Sequence, residues 1–265
     1  MRGWFSRDYE PVVSIDPGES VSFHTFAAFW TWEVDVEPER PEGAGHALYG
    51  PIEVRGARAG QTLVVRIDEI VPRDWGRTWA DDEMFTWSLD GDVWRLGQHA
   101  VRSAPFLGVI GMPPPEPGEH RTTPPRRWGG NIDCKELVAG TTLYLPIPVD
   151  GALLMAGDGH GAQGDGEVSG TAIECPLERA TLTLHLDDGE LRSPIARTSD
   201  SWLAFGFDED LDTAAEQATE TMLDLMEREL GVTRPEARAL ASVSVDLHVT
   251  QVVNEVKGVH AILRV

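Results

Sequence analysis

The chain has 265 residues, with 44 Asp+Glu against 22 Lys+Arg, a formal charge of -22 and a pI near 4.6. That sign argues against a nucleic-acid partner and against docking to an anionic membrane, since both need clustered Lys and Arg to displace counterions. Hydrophobic residues at 41% and charged residues at 25% are globular proportions, so the acidity belongs to a folded protein with a sizeable core.

Short strand-like segments bounded by Gly, Pro or Asp fill residues 1–190. Val12–Ile15, Val21–Phe26, Pro51–Val54, Thr62–Val71, Thr142–Val149, Ala152–Ala156, Val168–Cys175 and Ala180–Leu186 are predicted as strands, most of them enriched in β-branched residues. Turn chemistry at Asp16-Pro-Gly18, Gly56–Gly60, Ala139-Gly140 and Asp187-Asp-Gly189 leaves little room for helix between them. Between Pro72 and Trp128 the pattern loosens, and the prolines of 113–117 and 124–125 lack the amide donors that central strands need, which predicts a long excursion over the β core. From Leu211, apolar residues at 215, 218, 222, 225 and 230 follow helical spacing, and Gly231 supplies a stop. Thr233 and Glu236 match a capping box ahead of a second short helix, and Val243–Val249 and Gly258–Val265 close the chain as strands. The prediction is a mainly β fold, a jelly-roll or barrel-like β sandwich over 1–190, with an α+β part over 191–265 packed against it. Cys134 and Cys175, the two cysteines, are too few for a disulfide scaffold. With no apolar run long enough to span a bilayer, they suggest a soluble, cytoplasmic protein.

Oxygen and imidazole ligands gather between Trp128 and Pro176. Asp158 and His160 stand two apart at the end of an apolar strand, so extended geometry points both side chains the same way; Asn131 and Asp133 repeat that relation. Two such pairs, brought together by a sheet, would make a mixed nitrogen and oxygen site for zinc or another borderline divalent ion. Gln163, Asp165 and Glu167 add further oxygens. A structural calcium would ask for oxygens alone, and His160 argues against it.

This stretch resembles the acetamidase/formamidase family. The resemblance is carried by Gly129-Gly-Asn-Ile-Asp133, Ala139-Gly-Thr-Thr-Leu-Tyr-Leu-Pro146, Gly157-Asp-Gly-His160, Gln163-Gly-Asp-Gly-Glu-Val168 and Gly170-Thr-Ala-Ile-Glu174. It is supported by Gly50–Ala57 and by Ala239–Val253. It implies hydrolysis of small aliphatic amides to carboxylate and ammonia, a divalent metal at the site, and a jelly-roll-like β part with an α/β appendage. Two departures stand out. Where members carry an acidic residue in a Thr-x-Asp-Ala pattern, this chain has Thr25-Phe-Ala-Ala28, and nine tryptophans is a large number for this length. Trp75, Trp79, Trp87 and Trp94 would line a wide pocket or anchor the core.

Such a reaction needs water made nucleophilic by a metal and a carboxylate that carries its proton to the departing nitrogen. Glu167 is the first choice for that carboxylate and Glu174 the competitor; on one regular strand they have opposite parity, so only one should face the site unless Gly170 breaks the pleat. Gln163 and Asp165 are expected to line the substrate pocket. Neither cysteine has a neighbouring base in sequence, and His24 and His46 read as structural, while Asp246 and His248 share one strand face. A silent β-sandwich binding module holding structural calcium is the alternative. A small amide substrate and a homo-oligomer complete the expectation. Of the acids, nine at 208–229 would form a solvated helix face, and five, Asp133, Asp158, Asp165, Glu167 and Glu174, belong to the site.

Overall fold

The computed structural model describes residues 1–36 and 39–265. In chain order the strands are β1 (Val13–Ile15), β2 (Ser20–Thr25), β3 (Leu48–Val54), β4 (Thr62–Pro72), β5 (Trp75–Ala80), β6 (Glu83–Asp90), β7 (Val93–Leu96), β8 (His99–Arg102), β9 (Phe106–Gly111) and β10 (Gly129–Asn131). They continue as β11 (Thr142–Pro146), β12 (Leu154–His160), β13 (Leu177–Asp187), β14 (Ile195–Arg197) and β15 (Ser201–Asp208). Helices α1 (Leu211–Leu230) and α2 (Arg234–Ser244) precede β16 (Val245–Gln251) and β17 (Lys257–Arg264). The expected mainly β class, with helices confined to the C-terminal part, is what the chain adopts.

A five-stranded sheet, β1-β3-β12-β9-β10, faces an eight-stranded one, β16-β17-β15-β14-β11-β4-β13-β2. Their shared core takes Ile52, Ile110 and Leu154 from the first and Val65, Leu143 and Leu182 from the second. The larger sheet continues across residue 190, because β11 pairs antiparallel with β14. Beyond β14, β15 and β17 are buried on both faces, and alternation sorts the residues. Leu203, Phe205 and Ile262 join the sandwich core, while Ala204, Ala261 and Leu263 meet α1 and its neighbours. Gly206 permits that contact, since a Cβ there would lie 2.1 Å from Ala214 O.

The span from Pro72 to Trp128 departs from the expected excursion. It holds a four-stranded antiparallel meander, β5-β6-β7-β8, and the fully buried strand β9, leaving 112–128 as irregular chain. The prolines rule out strands where they stand, and they say nothing about residues 75–111.

α1 ends where the glycine predicts. Asp210 caps its start by accepting from Thr213 N at 2.9 Å, and Gly231 closes it in the left-handed region at φ 66. The capping box of Thr233 and Glu236 is formed at α2. The acids of α1 are less solvated than their spacing implies: Arg234 bridges Asp224 at 2.6 Å and Glu227 at 2.8 Å and also meets Glu220, and Arg192 reaches Asp224 at 3.0 Å. This network ties α2 to α1. Among the described residues no helix is long and apolar enough to cross a membrane.

Candidate active site

Strands β12, β9 and β10 lie side by side, and the site forms where they meet. Asp158 and His160, at the end of β12, are both buried and meet in one cluster, although Asp158 has φ 59 and so departs from the extended geometry on which the i, i+2 expectation rests. Asp133 lies just beyond β10 with φ 52, its amide donating to Gly108 O at 3.2 Å. β9 runs between these two segments, and Gly108 is the residue that passes the cluster. A Cβ at 108 would sit 2.7 Å from each of Asp133 Oδ1, Asp158 Oδ2 and His160 Cε1. Glycine is needed there because the space a side chain would fill is the space into which three donors point.

Glu167 and Glu174 join from a loop where a strand over Val168–Cys175 is expected. Residues 167–170 instead make a turn, with Glu167 at φ 46, Gly170 at φ 85, and Gly170 N donating to Glu167 O at 2.8 Å. Glu174 then returns through isolated bridges to His160 and Arg77. Parity does not apply across a reversal, so both glutamates face inward. Ligand atoms of Asp133, Asp158 and His160 lie within 4.8 Å of one another, and so do those of His160, Glu167 and Glu174.

Hydrogen bonds orient the set. Gln163 Nε2 donates to Asp133 O at 2.7 Å, which turns Oε1 toward His160 Nδ1 at 3.1 Å. Gln163 Oε1, accepting from Nδ1–H, leaves Nε2 turned inward, 3.4 Å from Asp158 Oδ2 and 3.3 Å from Glu174 Oε2. Asn254 donates to Asp133 Oδ2, and Ala172 N donates to Glu174 Oε1 at 3.0 Å. Asp133 Oδ1, Asp158 Oδ1, Glu167 Oε2 and Glu174 Oε2 remain buried without a hydrogen-bond partner. Four carboxyl groups in one dry pocket cannot all be ionised without compensation. Burial pushes Glu174 up to about 8 and Glu167 up to about 7, and burial with the nearby Glu167 raises Asp133 well above the carboxylate range. Burial opposes ionisation of Asp158 too, yet His46 and His160 beside it bring it down to about 2. Burial likewise opposes charge on His160, but Glu174 and Asp158 outweigh it and raise its pKa. Protons thus balance charge that a divalent cation would balance better, and the donor set fits such an ion.

His46 belongs here although it reads as structural in sequence. Its Nε2 lies 3.8 Å from Asp158 Oδ2 while Nδ1 meets Thr122 Oγ1 at 2.8 Å, and burial lowers its pKa. No spacing announced His46 or Asn254, each alone on its loop. Asn131 is buried on β10 opposite Val109, with Oδ1 lacking a partner. Asp165 stands apart from the other four acids, half exposed and bridged to Lys135 and to His248 Nδ1 at 2.8 Å. Gln163, expected in the substrate pocket, instead uses both ends of its amide on His160 and Asp133. Trp94 is an anchor: fully buried, it donates from Nε1 to Gly161 O at 3.1 Å and covers the turn that follows His160. Ala27 and Ala28, in the place of the family's acidic residue, are buried beside Trp30 in the loop after β2.

The sequence profile described as the Acetamidase/Formamidase family matches residues 116–199, which hold every member of the cluster except His46 and Asn254. An acetamidase from Mycolicibacterium smegmatis is 49% identical over 49 residues, an alignment that spans 18% of this chain and 12% of that protein. A formamidase from Methylophilus methylotrophus is likewise 49% identical over 49 residues, again 12% of its length. Similarity of fold runs much further. The crystal structure of an acetamidase from Bacillus halodurans superposes with a TM-score of 0.90 at 30% identity, covering 98% of this chain and 94% of that one. A γ-lactamase from Delftia acidovorans shares the fold alone, at 22% identity and a TM-score of 0.66 over 99% of this chain and 88% of its own. With near-complete coverage of the Bacillus protein at that identity, and with the profile match falling on the buried carboxylate cluster, the chain belongs to the acetamidase/formamidase family.

Proposed function

We propose that the protein hydrolyses small linear amides, of the formamide and acetamide kind, to carboxylate and ammonia with a divalent cation held by Asp133, Asp158, His160 and Glu174, and with Asn131 as a further donor. The observation that carries this reading is the set of four partnerless carboxylate oxygens gathered around the inward Nε2 of one oriented imidazole. One nitrogen among several oxygens suits zinc or a similar borderline ion better than calcium. When bound, such an ion supplies Lewis acidity, polarising a carbonyl and lowering the pKa of water from about 16 to about 7.

The protein's own part is orientation and proton transfer. Gln163 keeps the His160 ring in one tautomer, so His160 serves as a ligand and does not shuttle protons. Glu174 has one oxygen held by Ala172 N and the other turned to His160, which suits a fixed ligand. Glu167 is the better proton carrier, because it is buried with Oε2 free of any hydrogen-bond partner and has a carboxylate oxygen within 4.8 Å of ligand atoms of His160 and Glu174. At neutral pH it takes the proton of the attacking water and, once protonated, delivers it to the departing nitrogen.

The test is ammonia release from formamide, acetamide and propionamide, measured beside metal content. Activity with a stoichiometric zinc-class ion, both lost in Asp158→Ala, is expected. Calcium alone, with no ammonia from any amide under any metal supplement, would leave the silent binding module instead.

A further inference from the structure

The loop that presents Asp133 carries a second group of donors on its next three residues. Cys134, Glu136 and His260 place a thiol, a carboxylate and an imidazole within 4.8 Å of one another. Cys134 Sγ lies 3.1 Å from Glu136 Oε2, and that oxygen is 3.5 Å from His260 Nε2. Cys134 and His260 are fully buried.

An independent observation points to a ligand. His260 Nε2 has no hydrogen-bond partner although the ring is 0% exposed, while Nδ1 is engaged by Thr250 Oγ1 at 2.8 Å. With Nδ1 engaged by Thr250, Nε2 is the ring nitrogen that faces Glu136 and the cluster. A buried acceptor left unmatched is costly and rare in a native fold. Glu136 is prepared as well: Lys135 Nζ holds its Oε1 at 3.0 Å, leaving Oε2 for the interior. His248 stacks on His260 with ring centroids 5.2 Å apart. Glu136 borders a cleft of about 510 Å3 that Lys135 and His248 also line, while Cys134 and His260 lie buried behind it.

We propose that Cys134, Glu136 and His260 form a second metal site, separate from the cluster around His160 and selective for a thiophilic divalent cation of the zinc class. Thiolate, imidazole and carboxylate are the donor types zinc takes, three protein ligands leave a position for water, and the sulfur discriminates against calcium and magnesium. An ion here would clamp the short loop between the two sites, because residues 133–136 supply Asp133 to one and Cys134 and Glu136 to the other.

The experiment loads the full chain with cobalt(II) or zinc and measures metal equivalents, the thiolate-to-cobalt charge-transfer absorption, and sulfur scattering in the zinc X-ray absorption spectrum. Expected are one equivalent beyond that held by the His160 cluster, the charge-transfer band, and a sulfur neighbour at about 2.3 Å. Cys134→Ser and His260→Gln should each lose that equivalent and the band, whereas Cys175→Ser keeps both. Asp158→Ala, which empties the His160 cluster, should keep the band, so failure of the amidase reading does not remove this one. Should Cys134→Ser fail to fold, alkylation of the native protein decides: zinc protects Cys134 from modification if the site exists. Wild-type protein without a sulfur neighbour and without zinc protection of Cys134 overturns the proposal.

Discussion

Replacing Gly108 by alanine tests whether the cluster around His160 is a built cavity. The added methyl would begin 2.7 Å from two carboxylate oxygens and an imidazole carbon, about 0.7 Å short of ordinary contact at 3.4 Å. Relief is not available from one flexible side chain, because Asp133 lies beyond β10 while Asp158 and His160 sit on β12, and each is held by hydrogen bonds or by its strand. Backbone strain is not the cause, since alanine suits a strand better than glycine does. Displacing ligands by well under 1 Å should lower the rate of amide hydrolysis by about tenfold to a hundredfold, given that about 1 Å of misplacement costs on the order of 100-fold. Overpacking should cost about 1–3 kcal/mol of stability besides. The assay is ammonia release together with metal content after dialysis, with Gly164→Ala as the control, because a Cβ at 164 meets nothing within 4 Å. If Gly108→Ala keeps its metal and hydrolyses amides within about twofold of the parent, misplacement on that scale has not occurred and the cavity argument fails.

Gln163→Ala should weaken metal binding by about 10–100-fold by freeing His160 Nδ1, as measured by competition with a chelator, and an unchanged affinity would remove Gln163 from its orienting role. Metal-free protein should lose thermal stability as pH rises. Glu167 at about 7 and Glu174 at about 8 both titrate above the ordinary 4.5, so their contribution is complete below the unfolded value and is lost as pH climbs through the folded ones; the raised His160 acts in the same direction. Below about pH 6.5 the buried His46 and His260, whose pKa values burial lowers, work against this trend, so the test runs from about pH 6.5 to about pH 8 in chelator: a melting temperature that holds steady or rises there would contradict the reasoning, and saturating metal should abolish the decline. Asp210→Ala removes the cap of α1 and should cost about 1 kcal/mol in denaturant melts while leaving ammonia release unchanged.

Much of the architecture is legible locally. α1 stops at Gly231 because a left-handed residue ends a helix whatever surrounds it, and the capping box at Thr233 needs only its own turn. The i, i+2 spacing of Asp158 and His160 names both ligands, although Asp158 reaches the cluster with φ 59 and not as a regular strand residue, and the ligand types at 131–136 and 158–174 limit the chemistry before any fold is known. The meander was readable too: β6 alternates exposure along Glu83–Asp90, a signal masked by the proline runs downstream.

The site itself depends on distance in sequence. Glu167 and Glu174 both face inward because a turn interrupts the pleat, which residue spacing does not reveal. Asp165, within two residues of Glu167, is drawn instead to Lys135 and His248. Asn254 reaches Asp133 across 121 residues, and His46 reaches Asp158 from a loop with no pattern of its own. Gly108 shows the division most clearly: in sequence it is one glycine among 27, and its necessity appears only when β9 passes between β12 and β10. Local residue patterns are enough for the class of fold, the helix ends and the kind of ligands; strand order and burial select which of those ligands share one cavity, because a cation is held by atoms converging in space and not by neighbours along the chain.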